Sequence, residues 1–457
     1  MKNKITLFLI CLLFASPACR KSLLNEMPDN NVFIPSTLDD CYNLLDNETI
    51  MDRSCGLGEL SADDYYFSDS YLPLRSILER NTYLWERDIY AGTQDIYDWN
   101  TPYQQVFYCN VVLEALAHLS ITDRPADYNN VKAVALFKRS FAFFNVAQLF
   151  APPFNSGNAS QNSGIPLKLS SDIHEAITRA SLSQTYQQIT TDLKQAASLV
   201  ATATPGTIRN RPSKASVYAM LSRVYLSMGS YPQAGLYADS SLQLHDSLIN
   251  YNIDISHSSS MPFRVINPEN MYNARIPSLQ YQCIQPLAGM AFIDSLVYRS
   301  YSNADLRKYI FFNLFQTYPR RKGFYDGSNV TLYTGLAVDE MYLNRAECLA
   351  REGNTQAAIT WLNKLMINRI ADSAFTPLKA DNALAALRLI LEERRKELIM
   401  RGLRWSDIRR LNSEGYNIQP KRFTNNQLII LPPRSKLYTL PIPDEVIQRS
   451  GITQNER

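Results

Sequence analysis

The sequence predicts a mostly α-helical protein, a scaffold of tetratricopeptide-like helical hairpins carrying an irregular, loop-rich lobe. Three observations predict it. Apolar residues recur at helical spacing through much of the region between about 36 and 250. Two separate stretches repeat one pattern of small residues. Between about 250 and 335 the helical signal fades, and Pro262, Pro268, Pro277, Pro286 and Pro319 punctuate a segment rich in Tyr and Asn.

The chain opens on an address. Lys2 and Lys4 precede an almost wholly apolar run, Ile5 to Ala15, too short to span the ~30 Å core of a bilayer but suited to a signal peptide. Ser16-Pro17-Ala18-Cys19 follows, a small residue directly before a cysteine, as bacterial lipoprotein processing requires. Residues 1–18 are therefore expected to leave as signal peptide, with Cys19 lipidated and 19–36 a polar tether. Cys11 leaves with the signal. Cys41, Cys55, Cys109, Cys283 and Cys348 are widely spaced, with no CxxC pairing. Cys41 and Cys55 could bridge in an oxidising compartment, and the others suit burial as small hydrophobes.

Helices are expected in order. Val106, Cys109, Leu113 and Leu116 mark one, with Pro102 able to sit in its first turn. Val131 to Phe150 is apolar nearly all round, hence buried, and Pro152-Pro153 ends it. Leu182 to Leu199 is a third, with Tyr186, Ile189, Leu193 and Ala196 on one face. The repeated pattern comes next: Leu221, Tyr225, Gly229, Ala234 and Ala238, then Tyr342, Ala346, Leu349, Gly353, Ala358 and Leu362. In each, Gly precedes the key Ala by five positions, turning the chain between helices that small residues let approach closely. A strong helix is expected from Asn382 to Leu411, then an extended Leu428 to Leu431 and a Pro-rich end.

Composition narrows function. Of 457 residues 46% are apolar and 19% charged, as in an ordinary folded protein. Net charge is +3, and without Lys2 and Lys4 the body sits at +1, which argues against nucleic acid. His118, His174, His245 and His257 show no zinc spacing, and Asp63, Asp64 and Asp69 lie in no EF-hand loop, so neither metal nor cofactor is expected. No GxSxG elbow occurs, and Gly56-Leu57-Gly58 lacks a third glycine. No catalytic residue is therefore expected. The acids of EERRKEL read as a salt-bridged helix surface, with Glu392 and Lys396 as i,i+4 partners, and Trp405 as a core anchor.

The final third carries the most specific motifs: YLNRAECLAREGN (Tyr342 to Asn354), LEERRKELIMRGLRWSDIRR (Leu391 to Arg410) and LPIPDEVIQRSGITQN (Leu440 to Asn455). Upstream stand GELSADD (Gly58 to Asp64), GIPL (Gly164 to Leu167), RASLSQTYQQITTDLKQA (Arg179 to Ala196) and RPSKASVYAMLSRVYLSMGSY (Arg211 to Tyr231). Together these resemble the SusD/RagB family of Bacteroidetes outer-membrane nutrient-binding lipoproteins. The resemblance implies an N-terminal helical part (37–250) and a C-terminal part (251–457) containing the irregular ligand-binding lobe. It also implies lipid anchorage in the outer membrane, facing the cell exterior, and delivery of oligosaccharide to a TonB-dependent, SusC-like transporter. Surface-exported relatives often carry acids after the lipidated Cys, whereas Arg20 and Lys21 stand here. Two alternatives share the helical scaffold: a peptide-binding member of the family, and a tetratricopeptide scaffold for protein assembly.

Aromatic residues are the candidate ligand contacts. Tyr65, Tyr66, Phe67, Tyr71, Tyr83, Trp85, Tyr90, Tyr97 and Trp99 crowd one low-periodicity stretch. Tyr298, Tyr301, Tyr309, Tyr318 and Tyr325 lie in the irregular middle. Pyranose rings present C–H faces that stack on aromatics, while neighbouring polar groups take the hydroxyls. Tyr65, Tyr66, Tyr71, Arg75, Trp85, Tyr298, Tyr301 and Tyr318 are the expected contacts, with packing the alternative for any one ring.

Overall fold

The computed structural model describes residues 35–119, 124–277, 279–286, 289–323, 325–328 and 330–457. Cys19, the leader and most of the tether lie outside them. Residues Ser36–Arg457 form one compact unit.

Its first elements start on side-chain caps. Helix α1 (Leu38–Leu45) opens on a reciprocal Thr37/Asp40 capping box, which satisfies amides that have no partner within the helix. Helices α2 (Glu48–Met51) and α3 (Leu57–Ser61) and strand β1 (Tyr65–Tyr66) follow. Helix α4 (Ile77–Tyr83) repeats the capping box with Ser76 and Glu79. Pro102 lies inside helix α5 (Tyr97–Leu116), beyond the first turn where it was expected. Pro lacks the N–H that would bond the carbonyl of Asp98, and that carbonyl accepts from the Cys55 thiol instead at 3.4 Å. Cys41 and Cys55 are both free thiols.

Helix α6 (Pro125–Phe150) starts on a proline at its first turn and is buried nearly all round from Val131 on. A hairpin of β2 (Ser163–Pro166) and β3 (Arg179–Ser181) leads into α7 (Leu182–Leu199), which spans the expected residues. Helices α8 (Lys214–Ser227) and α9 (Tyr231–Leu244) pack together, joined by a short turn in which Gly229 takes φ +70°.

Short strands occupy the irregular segment: β4 (Asn270–Tyr272), β5 (Arg275–Ile276) and β6 (Phe292–Ile293), then helices α10 (Ser295–Ser300) and α11 (Arg307–Phe311), strands β7 (Phe312–Phe315), β8 (Tyr318–Arg321), β9 (Leu332–Tyr333) and β10 (Leu336–Ala337). Strand β10 pairs with β4 and β9 with β5, and an antiparallel sheet runs in the order β1-β6-β8-β7. Helices α12 (Val338–Arg351) and α13 (Thr355–Met366) form the second packed pair, its turn made by Gly353 at φ +84°. Helix α12 also rests on α9, where a Cβ on Gly235 would stand 2.9 Å from that of Cys348. Only a residue without a side chain permits that approach.

The long helix expected over Asn382 to Leu411 is two, α14 (Ala383–Glu397) and α15 (Arg404–Ser413). Met400 and Gly402 adopt φ +55° and +73° between them, and left-handed residues interrupt a right-handed ladder. The freed Gly402 amide donates to a carboxyl oxygen of Glu59 at 2.9 Å. EERRKEL does not form a helix surface: Glu393, Arg394 and Glu397 are buried. Lys396 reaches Glu393 at 2.5 Å, and Glu392 is exposed. Trp405 is buried against Tyr438, ring centroids 5.0 Å apart. Strands β11 (Lys421–Thr424) and β12 (Gln427–Ile430) and helix α16 (Asp444–Ser450) complete the chain. The main core contains residues from Leu57 to Ile452, so the two expected parts share one interior. No described helix is long and apolar enough to cross a membrane.

Candidate functional site

The four-stranded sheet builds the site, and its pairing decides which rings reach solvent. Side chains along a strand alternate between faces. Tyr65 pairs with Ile293 and Tyr66 with Phe292; Phe292 pairs with Arg320, Asn313 with Arg320, and Phe315 with Tyr318. One face therefore carries Tyr66, Phe292, Arg320, Asn313, Tyr318 and Phe315. The other carries Tyr65, Ile293, Arg321 and Phe312, all buried, and, toward the β7–β8 turn, buried Pro319 and exposed Leu314. Two sequence-distant aromatic groups, near 66 and near 318, thus meet on one surface.

Phe292 is the floor of that surface. Its ring centroid lies 5.8 Å from Tyr66, 5.1 Å from Tyr318 and 6.4 Å from Phe315. Tyr318 and Phe315 stand 46% and 43% exposed. The β7–β8 hairpin turns through Gln316-Thr317, with Gln316 at φ +57°, as the turns matching strand twist demand. The Arg320 guanidinium sits 5.4 Å from the Phe315 centroid and donates to the carbonyls of Pro286 and Gly289. Tyr71, half-buried, neighbours Arg320 and carries Arg75 stacked 4.1 Å over its ring. Burial raises the Tyr66 and Tyr71 hydroxyls above their ordinary range, so both remain protonated donors at neutral pH. Flat rings beside a guanidinium, an amide and phenolic hydroxyls can hold a ligand with apolar faces and polar edges.

Three rings expected at the site lie inside the protein instead. Tyr65 is 1% exposed and donates to the Leu60 carbonyl at 3.1 Å. Trp85, at φ +57°, donates from Nε1 to Ser61 O at 3.0 Å. Arg422 explains their depth: its guanidinium stacks 4.0 Å from Tyr83 and 4.7 Å from Trp85 while donating to backbone carbonyls of Ala62, Tyr65 and Tyr83. Tyr301 is buried edge-on to Phe312 and donates to Lys396 O at 2.8 Å. Tyr298 is half-buried, its ring also meeting Phe312, behind the aromatic face. Of the expected contacts, Tyr66 and Tyr318 share that face, and Tyr71 and Arg75 flank it. Phe292, Phe315 and Arg320 were not foreseen. The alternation Asn313, Phe315 and Tyr318, Arg320 about a two-residue turn was the signal for Phe315 and Arg320.

The neighbouring acids are engaged. Asp63 accepts from Arg404 at 2.6 Å and meets Arg395 at 3.3 Å, and these two cations hold its carboxyl well below the usual range against the opposing effect of burial. Among the described residues no cluster of His, Cys, Asp and Glu could hold a metal ion.

Two family models match the chain. A SusD-like family described as starch-binding and associating with the outer membrane matches residues 23–226, and the SusD family matches 338–457. The chain belongs to the SusD/RagB family. SusD proteins are non-catalytic binding proteins associated with the outer membrane. A candidate sugar-binding protein of Bacteroides vulgatus superposes with a TM-score of 0.75 at 20% identity, covering 92% of this chain and 99% of that one. A SusD superfamily protein of Bacteroides thetaiotaomicron gives 0.72 at 20%, covering 92% and 100%. A SusD-like protein described as laminarin-binding gives 0.63 at 17%, covering 92% and 98%. These likenesses show the SusD fold. Among curated proteins there is no match.

Proposed function

We propose that this SusD-family chain is an outer-membrane lipoprotein, anchored through Cys19 and facing the cell exterior. It binds nutrient oligosaccharides on the Tyr66–Phe292–Phe315–Tyr318 face and passes them to a TonB-dependent, SusC-like transporter. The carrying observation is that face itself: two rings left nearly half in water over an aromatic floor, beside Arg320, where fuller burial would have been favourable. The two packed helix pairs, α8/α9 and α12/α13, serve as the tetratricopeptide-like scaffold of the chain. The laminarin-binding description of one structural neighbour supports a glycan as the ligand class.

Calorimetric titration of the folded protein against neutral oligosaccharides, laminarin fragments among them, tests the reading. Binding that weakens in Tyr318→Ala supports it. Absence of any glycan affinity, with measurable affinity for peptides, replaces oligosaccharide by peptide as the cargo. Copurification with a large β-barrel in mild detergent tests the partnership, and recovery as a lone monomer after crosslinking in native membranes speaks against transport.

A further inference from the structure

A cleft of about 690 Å³ shares no residue with the aromatic face and has the opposite character. One wall is the loop after α6, with the amides of Asn155, Asn158, Gln161 and Asn162. The facing wall comes from the C-terminal segment, with Gln454 and Asn455, and Arg434 and Lys436 stand among its lining.

Two more guanidiniums line it, Arg409 held against the end of α6 and Arg179 between the β2 carbonyls and Thr453 O, to which it donates at 2.9 Å. Arg409 donates to the carbonyls of Gln148 and Ala151. Arg179 donates to Gly164 O at 2.9 Å and reaches Phe150 O at 3.5 Å. Arg409 is only 3% exposed, and its buried Nε has no hydrogen-bond partner. Neither guanidinium forms an ion pair with a carboxylate among the described residues. A helix C-terminus offers roughly half a negative charge, against two whole positive ones. Carbonyl dipoles therefore face these two cations where a full counter-charge would otherwise stand. The lining's one acid, Glu456, is already held by Lys436. Burial pushes Arg409 down to about 10, the mark of a cation that lacks a counter-charge.

We propose that this cleft binds the negatively charged substituent, carboxylate or sulfate ester, of an acidic oligosaccharide. The inference rests on the glycan-binding reading above and names the substrate class. Guanidiniums match such oxyanions in geometry as well as charge. The Gln454 and Asn455 amides are held within the protein, but on the loop wall the Asn155 and Asn158 amide oxygens alone are engaged, which leaves their NH₂ donors and the Gln161 amide to meet sugar hydroxyls.

The test is titration of the full chain with tri-galacturonate, a sulfated disaccharide, inorganic sulfate and a neutral galactose trisaccharide. Arg434→Glu and Asn158→Ala alter exposed side chains, so the protein should stay folded, with circular dichroism as the check. The expected result is that Arg434→Glu weakens an acidic sugar on the order of tenfold and leaves the neutral sugar unchanged, while Asn158→Ala weakens the acidic sugar severalfold. Tri-galacturonate against the sulfated sugar tells carboxylate from sulfate ester. Equal affinity for acidic and neutral sugars overturns the proposal, as does acidic-sugar binding that survives Arg434→Glu but is lost in Tyr318→Ala. Both results leave the aromatic face standing. Neutral-sugar binding indifferent to Tyr318→Ala would remove that face alone. Inorganic sulfate bound as tightly as the sulfated sugar overturns the glycan assignment.

Discussion

Arg307 donates to Glu397 at 3.0 Å with both side chains fully buried. The same guanidinium reaches Glu393 at 2.6 Å and Asp305 at 2.7 Å, while Glu397 also accepts from Arg369 at 2.7 Å. Arg369 continues to Glu269 at 2.7 Å. Charges of alternating sign thus run through the interior behind the aromatic sheet. Removing Glu397 leaves Arg307 with Asp305 and Glu393, and Arg369 with Glu269, but each buried guanidinium loses one counter-charge, at a cost of up to ~3–5 kcal/mol. Glu397→Ala should lower stability by about that much in urea denaturation. A loss below ~1 kcal/mol would show that these ions do not depend on one another.

Exposed and buried rings should separate cleanly. Tyr318→Ala or Phe315→Ala removes a ring that water already reaches, so melting temperature should hardly move. Glycan affinity should fall severalfold, on the order of 1 kcal/mol. Trp85→Ala and Tyr301→Ala open cavities in the packed interior and should cost ~3–5 kcal/mol of stability. Thermal melts beside calorimetry check both. Trp85→Ala that melts normally yet loses sugar would restore Trp85 to the binding surface.

Glu59 should make stability depend on pH. Burial pushes its carboxyl up to about 8 from an ordinary 4.5, so the folded state keeps a proton that the unfolded chain releases. A raised carboxyl favours folding at low pH, and its contribution falls as pH rises from about 4.5 to 8, by roughly 1.4 kcal/mol per pKa unit. Glu59→Gln keeps an acceptor for the Gly402 amide and cannot ionise. The variant should gain stability relative to wild type by a few kcal/mol between pH 5 and 8 in denaturant titrations. A difference that stays constant across that window would refute a protonated Glu59.

Cys19→Ala should release the protein from membranes. Each buried acyl CH₂ contributes ~0.8 kcal/mol, and stable anchoring takes more than one chain. Fractionation with radioactive palmitate is the measurement. A labelled, membrane-bound mutant would place the lipid elsewhere.

What was legible in the sequence was whatever neighbouring residues decide among themselves. Helix α7 runs over Leu182–Leu199 as its pattern indicates, α6 ends before Pro152-Pro153, and Gly229 and Gly353 turn the two helix pairs. Helical bonds close within a turn, so propensity and periodicity suffice for them. Tertiary structure alone decided three things. It broke the stretch after Glu397 at Met400 and Gly402, where a left-handed turn lets the Gly402 amide meet Glu59, far away in the chain. It drew EERRKEL inward, because Arg307 and Arg369 wait there with matching charge. And it sent Tyr65 into the core and Tyr66 to solvent: a two-residue strand has no pattern of its own, and only its pairing with Phe292–Ile293 assigns each ring a face.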